Sequence, residues 1–430
     1  MSKTTIDFSK TTGVIKPMHA VNNGPVRSVW GNDNFDAFKA ACIPYARNHD
    51  ASFCSAYGGE HTVDVHAIFP DFDKNPYDPE SYDFTLTDGY LQMIVDAGTE
   101  VFYRLGTKIE HWVKKYGTIP PKDPKKWAII CEHIIRHYTE GWADGKHFKI
   151  TYWEIWNEPD LPQNWAGTPE QYFELYVTAA THLKKCFPHL KIGGPALSSP
   201  SMMEWAEDFM KYLNAQPERV PLDFFSWHLY RCNIGVMLEK NKIIEEFLEK
   251  FGYGDVEIIL NEWNYLENWT DMFTISREHI HGMRGAAYSA ALMCAMQKTG
   301  LDMLMYYDAQ PSGWNGLFDS ITYAPLKGYY PFLSFSELYK LKNEVASSSD
   351  DEAIHVAAAT DGEKKAAMIT HYTHDKNATP KEIEIDFPAG DESWYCYKLD
   401  KDYTMYRTEF APGKIKINPD TMLLITNYKM

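Results

Sequence analysis

The sequence predicts an α/β protein in which a (β/α)8 TIM barrel is followed by a smaller, β-sandwich-like domain. Between residues 14 and 341, short apolar segments alternate with amphipathic helical segments, which is the pattern of parallel βα units. Beyond residue 341 the helical periodicity stops and short strand-like segments follow one another. The 430 residues exceed the ~250 that one barrel typically needs, so both parts fit in the chain.

Eight segments have the length and apolar character of barrel strands. They are Val14–Val21, Ile43–Arg47, Thr99–Leu105, Lys149–Trp156, Lys191–Leu197, Phe224–Leu229, Glu257–Leu260 and Asp302–Tyr307. Helix signals separate most of them: Pro169 opens one helix, Ser201 caps another, and Arg277–Lys298 is the longest. Eight successive strand–helix units predict a closed catalytic barrel at residues 14–341.

The last part of the chain, residues 342–430, is predicted to be the β domain. Its strand candidates are Ala353–Ala359, Ala366–Tyr372, Glu382–Phe387, Trp394–Leu399, Lys414–Ile417 and Met422–Thr426, with turn residues between them. Residues 1–13 are a candidate addition to this domain, because a segment such as Thr5–Phe8 has no partner in the barrel.

One connection, Asp50–Asp88 after the second strand, is unusually long. A long loop after a barrel strand lies at the catalytic face. Its stretch His61–Ile68 alternates polar and apolar residues, which fits an exposed strand at least as well as a metal site. The side chains that could suggest a metal are Glu60, His61, Asp64 and His66.

Composition excludes several classes of protein. The 42 basic and 59 acidic side chains give a net charge of −17 without a basic stripe, so nucleic acid and anionic membranes are poor partners. No charge-free apolar run reaches the ~18 residues of a membrane span. The seven cysteines form no Cys-x-x-Cys pair, and the first ten residues lack the apolar core of a signal peptide. We therefore expect a cytoplasmic enzyme with reduced thiols and no cofactor, of undetermined oligomeric state, a homo-oligomer included.

The strongest chemical signal is a strand that ends in Trp156-Asn157-Glu158-Pro159. Alternation places Glu154 and Glu158 on one face, and Pro159 ends the strand because it has no N–H to donate. Glu158 is therefore predicted at the barrel mouth, against the simpler reading of a helix cap or surface ion pair, and Glu154 deeper as a structural carboxylate. Asn157 points away in an ideal strand, so it can bind a ligand only if the chain bends before Pro159.

A second apolar strand, Glu257–Leu260, is followed by Asn261-Glu262-Trp263. Two strand-terminal glutamates then face one mouth. Glycoside hydrolysis uses such a pair: one carboxyl donates a proton to the leaving oxygen, and the other attacks or stabilises the anomeric carbon. Retention of configuration requires the two carboxyl groups to lie ~5–5.5 Å apart.

These motifs resemble the 4/7 superfamily of retaining glycosidases and, within it, glycoside hydrolase family 39, the family of β-xylosidases and α-L-iduronidases. The resemblance rests on Trp156–Pro159 and Asn261–Trp263. It implies that Glu158 is the general acid/base, that Glu262 is the nucleophile, and that Asn157 binds the 2-hydroxyl of the sugar. It also implies an exo-acting enzyme that removes a β-xyloside-like terminal sugar from imported plant oligosaccharides.

The resemblance further implies sugar-binding roles for side chains near other strand ends. These are His49 and Asp50 after strand two, His228 and Tyr230 at the end of strand six, and His19 near strand one. Trp314, in the Gly- and Pro-rich loop after strand eight, would be the platform on which the sugar stacks. Without the resemblance, a lone histidine is more often structural. The alternative for Trp314 is a side chain that plugs the end of the barrel.

Two other functions stay open at this point. A metal-dependent barrel enzyme such as a sugar isomerase could use some of the 16 histidines, although the sequence has no helix-borne His-x-x-x-His pair. A sugar-binding protein that has lost catalysis would keep both glutamates. The sugar and the linkage are undetermined, since the only basic side chains near strand ends that could select a uronate are Arg47 and Arg231, and neither is clearly aimed inward.

Overall fold

The computed structural model describes residues 2–27, 31–49, 62–109, 117–312, 316–390 and 392–430. Strand β1 (Ser2–Val14) belongs to a second sheet, and the next eight strands close a parallel barrel in chain order. The barrel strands are β2 (Ala20–Asn22), β3 (Tyr45–Arg47), β4 (Glu100–Leu105), β5 (Tyr152–Ile155), β6 (Lys191–Leu197), β7 (Phe224–Tyr230), β8 (Glu257–Asn264) and β9 (Met303–Tyr306). Each predicted barrel strand overlaps an observed one, and the predicted fold class is confirmed.

Helices surround the barrel. They are α1 (Phe35–Ala40), α2 (Val65–Ile68), α3 (Thr85–Asp96), α4 (Pro124–Thr139), α5 (Pro169–Cys186), α6 (Met203–Asn214), α7 (Ile234–Lys250), α8 (Phe273–His281), α9 (Met283–Met296) and α10 (Tyr329–Leu341). Three of them, α4, α5 and α7, begin at a residue whose side chain caps the first turn: Asp123, Thr168 and Asn233. At α5 the Thr168 side chain accepts from the Gln171 backbone and Gln171 reaches back, a capping box with proline in the first turn. None of the described helices is both long and apolar enough to cross a membrane.

Apolar side chains fill the N-terminal end of the barrel. They form one cluster of Ala20, Phe102, Tyr152, Phe224, Ile259, Met303 and Met305, contributed by six of the eight strands. Within it the rings of Phe102 and Tyr152 stack at 5.3 Å. This end is closed by packing, so a cleft can open only at the other end, where the strands finish.

The second sheet has nine strands among the described residues. Besides β1 they are β10 (Asn343–Ser349), β11 (Ile354–Thr360), β12 (Lys365–His371), β13 (Lys381–Asp386), β14 (Trp394–Leu399), β15 (Tyr406–Phe410), β16 (Gly413–Ile417) and β17 (Thr421–Thr426). Their order in the sheet is β15-β14-β17-β12-β11-β10-β1-β13-β16. Strand β1 runs antiparallel to β10 and parallel to β13. The first residues of the chain therefore join the sheet formed by the last ones.

The two faces of this sheet have different partners. On β11, Ala357 and Ala359 belong to the barrel's core cluster, whereas the alternate residues Val356 and Ala358 belong to the sheet's own core. Alternation by two residues separates the faces. The small side chains of the first set let the alanine-rich helix α9 pack closely on the sheet, so the β domain is fixed to the barrel wall.

Several local predictions were wrong. Strand one does not span Val14–Val21, because Val14 ends β1 and the barrel strand starts at Ala20. The predicted single helix Arg277–Lys298 is two helices separated at Gly282. Ser199 rather than Ser201 accepts the capping bond, at a short 3-10 turn before α6.

The proposed exposed strand at His61–Ile68 was also wrong. Val65–Ile68 forms the short helix α2, and Asp64 is buried in an ion pair with Arg104 at 2.7 Å. Glu60 and His61 lie outside the described residues. Strands β10 and β15 were not predicted, because both are rich in polar residues and lack the apolar alternation of a half-buried strand.

Candidate active site

A cleft at the C-terminal end of the barrel strands holds both glutamates that the sequence singled out. Its walls include His49, Asn157, Glu158, Leu161, Ser198, Tyr230, Glu262, Trp269 and Tyr307. One carboxylate oxygen of Glu158 lies within 4.8 Å of one of Glu262. The two carboxyl groups therefore face each other across one cleft.

A sharp bend delivers Glu158 to this cleft. Strand β5 stops at Ile155, and Trp156 and Glu158 both take left-handed backbone conformations, with φ of 76° and 46°. Gly106 makes room for the bend, because a Cβ atom there would lie 3.0 Å from the Trp156 Cα. The bend that the sequence required for Asn157 is present, and Asn157 lines the cleft beside Glu158.

A β-bulge delivers Glu262. The register between β7 and β8 skips Asn261, so that Leu260 and Glu262 pair with consecutive residues of β7. The Asn261 side chain turns below the site and donates to Glu154 at 2.6 Å. A bulge of this kind re-aims the next side chain, and here it points Glu262 into the mouth.

Arg47 and Tyr230 surround Glu262 with hydrogen-bond donors. The Arg47 guanidinium donates to Oε1 at 2.9 Å, and the Tyr230 hydroxyl donates to Oε2 at 2.7 Å. Arg47 is fully buried and also donates to Glu154 at 2.7 Å. Burial disfavours this cation, but the two carboxylates raise the pKa of Arg47 above its usual value. Negative charge on Glu262 is therefore well compensated.

Glu158 has uncharged neighbours at hydrogen-bonding distance. Asn164 donates its side-chain amide to Oε2 at 2.7 Å, and His228 Nδ1 lies 2.7 Å from Oε1. Burial lowers the pKa of His228 to about 4, so this imidazole is neutral at pH 7. Burial likewise raises the pKa of Glu158, although the charges of His49 and Arg47 and the Asn164 amide work in the opposite direction. The surroundings therefore favour the protonated form of Glu158 more than water around an exposed glutamate would.

Asn157 and His49 complete the wall around Glu262. Arg47 holds the Asn157 side-chain oxygen at 2.6 Å, which leaves the amide nitrogen to donate to a ligand. His49 Nε2 lies 3.4 Å from Glu262 Oε1, and its ring meets Tyr307 edge-on at 5.5 Å. The structure thus brings six sequence candidates together: Asn157, Glu158, Glu262, His49, His228 and Tyr230. Asp50 and Trp314 lie outside the described residues.

His19 was wrongly placed by the sequence. It precedes β2 and is buried at the opposite end of the barrel, with Nε2 3.2 Å from the Cys42 carbonyl oxygen and its ring 5.1 Å from that of Tyr339. Because the strand begins only at Ala20, the residue that reaches the mouth from β2 is Asn22, which accepts from Arg47 at 3.0 Å.

Three contributors to the cleft were missed. Arg47 was noted near a strand end but not as inward-pointing. Its contacts with Asn22, Glu154, Asn157 and Glu262 form only when the barrel closes. Asn164 lies in a loop, where no strand or helix periodicity relates it to Glu158, so the sequence did not indicate their contact. Trp269 had a usable signal, since it follows the strand of Glu262 as an aromatic in a loop; it is 55% exposed, and its ring lies 5.2 Å from that of Tyr230.

Two clusters of described residues have three potential metal ligands within 4.8 Å of one another. They are Glu158, His228 and Glu262 in the cleft, and Glu132, His182 and Cys186 between α4 and α5. In each cluster an arginine already neutralises a carboxylate, Arg47 at Glu262 and Arg136 at Glu132, the latter at 2.8 Å. Each arginine contacts one oxygen of its carboxylate and places positive charge beside the cluster, which disfavours a bound cation. Both clusters therefore fit ion-pair networks better than metal centres.

Known proteins resemble this chain in sequence and in fold. A family model described as "Glycosyl hydrolases family 39" matches residues 54–309. A β-xylosidase of Caldicellulosiruptor saccharolyticus is 30% identical over 187 residues, 41% of this chain and 36% of that protein. A β-xylosidase of Geobacillus stearothermophilus is 31% identical over 160 residues, 35% of this chain and 31% of that protein. The chain thus matches about a third of the length of these curated relatives.

The similarity of fold extends over the whole chain. A crystal structure of a glucosidase from Croceicoccus marinus superposes with a TM-score of 0.82 at 21% identity, covering 99% of this chain and 98% of that one. The barrel and the β domain therefore occur together, in this arrangement, in a solved structure.

Proposed function

The chain belongs to glycosyl hydrolase family 39, and from that membership and the geometry of its cleft we propose that it is a retaining exo-glycosidase. Its proposed substrate is a β-xyloside-like terminal sugar on a short plant-derived oligosaccharide. The substrate class follows the β-xylosidases among its relatives. The observation that carries the mechanism is the separation of the two carboxylates.

The closest oxygens of Glu158 and Glu262 lie within 4.8 Å of each other. Retaining glycosidases place the two carboxyl groups ~5–5.5 Å apart, whereas inverting enzymes need ~6.5–9.5 Å to admit a water molecule between carboxylate and sugar. A closest approach within 4.8 Å is compatible with the retaining arrangement, in which one carboxylate attacks the anomeric carbon directly.

The surroundings of the two groups support the proposed division of roles. Glu262, with Arg47 and Tyr230 on its oxygens, is the proposed nucleophile: it bonds to the anomeric carbon as the bond to the leaving oxygen breaks. Glu158, whose pKa burial raises, gives its proton to that leaving oxygen. In the second step Glu158 takes a proton from water, which attacks the anomeric carbon and releases Glu262.

The remaining wall of the cleft would hold the sugar. Arg47 holds the Asn157 side-chain oxygen, which supports the proposal that the amide nitrogen donates to the hydroxyl next to the reacting carbon. His49, Asp50, His228, Tyr230 and Trp314 stay proposed contacts of the sugar. Cys42, Cys131, Cys186, Cys232, Cys294 and Cys396 are free thiols, which supports the proposal of a reducing compartment such as the cytoplasm.

The test is the configuration of the first sugar released. A panel of nitrophenyl glycosides that differ only in the sugar identifies the best substrate, and proton NMR of fresh reaction mixtures then identifies the first anomer formed. We expect the β-xyloside to be among the best substrates and its product to appear first as the β-anomer. An α-anomer formed first would contradict retention, and binding without turnover of any glycoside would indicate a protein that has lost catalysis.

A further inference from the structure

Asn164 is a buried polar residue that contacts Glu158 and is not among the residues expected to bind sugar. Its side-chain amide donates to Glu158 Oε2 at 2.7 Å, and the residue is fully buried in the loop between β5 and α5. Its own side-chain oxygen has no hydrogen-bond partner. A buried oxygen without a hydrogen-bond partner destabilises the fold. Its presence here indicates that the hydrogen bond from Asn164 to Glu158 offsets that penalty.

Resting on the proposed acid/base role of Glu158, we propose that Asn164 is a positioning residue that occupies Oε2 throughout the reaction, so that Oε1 alone carries the transferred proton. An ionised carboxylate only accepts hydrogen bonds, and a protonated one still accepts on the oxygen without the proton. The Asn164 N–H is therefore compatible with both states that the two reaction steps require.

The loop holds Asn164 from both sides of its backbone. Its N–H donates to the Leu161 carbonyl at 3.0 Å, and its own carbonyl accepts from the indole N–H of Trp156 at 2.8 Å. Trp156 is buried and meets Trp165 edge-on at 4.9 Å. Since Trp156 lies just before Glu158, the same bend that aims the carboxyl group also fixes the residue that orients it.

The other oxygen of Glu158 is the one on the reacting side. His228 Nδ1 lies 2.7 Å from Glu158 Oε1 and 3.5 Å from Glu262 Oε2, so it stands between the two carboxylates. Oε1 therefore faces the space where the anomeric carbon must sit, and Oε2 faces the loop. A proton on Oε2 would point away from the leaving oxygen.

Several ionisable groups face Glu158 and share its electrostatic environment. They are Arg47 and His49 from β3 and its following loop, His228 and Tyr230 from β7, Glu262 from β8, and Asp160 from its own loop. Burial and the charge of Glu158 raise the pKa of Asp160 to about 7, although the hydrogen bonds that Ser198 donates to Asp160 act in the opposite direction. Asp160 therefore titrates near neutral pH, and its contribution to a pH profile must be separated from that of Glu158 experimentally.

Removal of the Asn164 amide should change the pKa of Glu158 in one definite direction. Burial raises the pKa of Glu158, and the hydrogen bond from Asn164 lowers it by favouring the ionised form. Without that bond the acid keeps its proton to higher pH, so the alkaline limb of kcat/KM moves upward. The second step slows, because a smaller fraction of Glu158 is ionised to act as base.

The experiment compares Asn164→Leu with a matched variant, Asn241→Leu. Asn241 on α7 is also buried, also donates to a glutamate, Glu245, at 2.6 Å, and also has an unpartnered side-chain oxygen, but it lies outside the cleft. For Asn164→Leu we expect the alkaline limb on a phenyl glycoside to rise by about one pH unit and kcat on a dinitrophenyl glycoside to fall about tenfold. KM on the dinitrophenyl substrate should fall too, as the glycosyl intermediate accumulates.

Asn241→Leu should keep the pH profile of the parent protein, and the shift in Asn164→Leu should persist in an Asp160→Asn background. Superimposable profiles, or an equal shift in Asn241→Leu, would overturn the inference. If Asn164→Leu does not fold, Asn164→Asp keeps the volume and adds a carboxyl beside Glu158; its alkaline limb must then move upward, and an unmoved limb overturns the inference. A failure of the proposed function itself is recognised with Glu158→Ala. If Glu158 is not the acid/base, this variant should lose activity equally on glycosides with good and with poor leaving groups.

Discussion

Glu262 accepts hydrogen bonds from a guanidinium and a phenol, whereas Glu158 meets an uncharged amide and an uncharged imidazole. Both follow an asparagine at the end of a barrel strand, and both are largely buried. The difference lies in what other strands bring to each one. Partners distant in sequence therefore set which carboxylate suits attack and which suits proton transfer.

One cation, the Arg47 guanidinium, acts on both sides of the cleft. Arg47 lies on the Glu262 side and contacts Glu262, Glu154 and Asn157, so it stabilises charge and orients the amide next to Glu158. The Glu158 side has no cation at hydrogen-bonding distance among the described residues. An uneven distribution of positive charge is thus the physical basis of the proposed asymmetry.

The largest expected effect is on the Glu262 side. In Glu262→Ala no covalent intermediate can form, so kcat should fall roughly 10⁴- to 10⁶-fold for every aryl glycoside, whatever its leaving group. Steady-state kinetics on a series of phenols measures it. The exposed Glu382 on β13 offers the control Glu382→Ala, which should retain full activity. A loss confined to poor leaving groups would exchange the two roles.

On the other side, Glu158→Ala should discriminate between leaving groups. Loss of the general acid should lower kcat/KM by about 10²- to 10⁴-fold for a phenyl glycoside. A dinitrophenyl glycoside should lose much less, because its phenolate departs without a proton. Equal losses on both substrates would remove the distinction between the two glutamates.

A single hydrogen bond gives the next effect. Tyr230→Phe removes the hydroxyl that donates to Glu262, and a bond to a charged acceptor corresponds to a loss of about 10- to 100-fold in kcat/KM. The control is Tyr253→Phe, since Tyr253 is buried and donates only to a backbone carbonyl. If both variants keep full activity, the Tyr230 hydroxyl has no part in stabilising Glu262.

Sequence and structure agree best where periodicity and motif act together. The barrel strands follow from their apolar pattern, and the presence of Glu158 and Glu262 near the mouth follows from the motifs. Their final orientation depends on the bend at Trp156 and the bulge at Asn261, which alternation does not show. The predicted position of His19 was wrong because the apolar run Val14–Val21 was interpreted as one strand, whereas β1 ends at Val14. No local pattern could show that Arg47 joins Glu154, Glu262 and Asn157, since those contacts exist only after the barrel closes.

The smallest expected effect concerns an exposed aromatic at the cleft mouth. Trp269 lines the cleft beside Tyr230, and its loss should raise KM about two- to tenfold with little change in thermal stability. The matched control is Tyr406→Ala, as Tyr406 is likewise 55% exposed but lies on edge strand β15. An unchanged KM would assign Trp269 no role in sugar stacking. The corresponding prediction for Trp314→Ala, weaker binding in a folded variant, stays a prediction.

The most direct test of the two roles uses azide, a nucleophile that needs no general base. In Glu158→Ala the covalent intermediate on Glu262 should form from a dinitrophenyl glycoside, and azide should release it as a glycosyl azide of retained configuration. In Glu262→Ala azide can only enter from the vacated face, so any glycosyl azide should have inverted configuration. NMR of the two products decides: retention with Glu158→Ala and inversion with Glu262→Ala is the predicted result, and exchanged configurations would contradict the assignment of acid/base to Glu158 and nucleophile to Glu262.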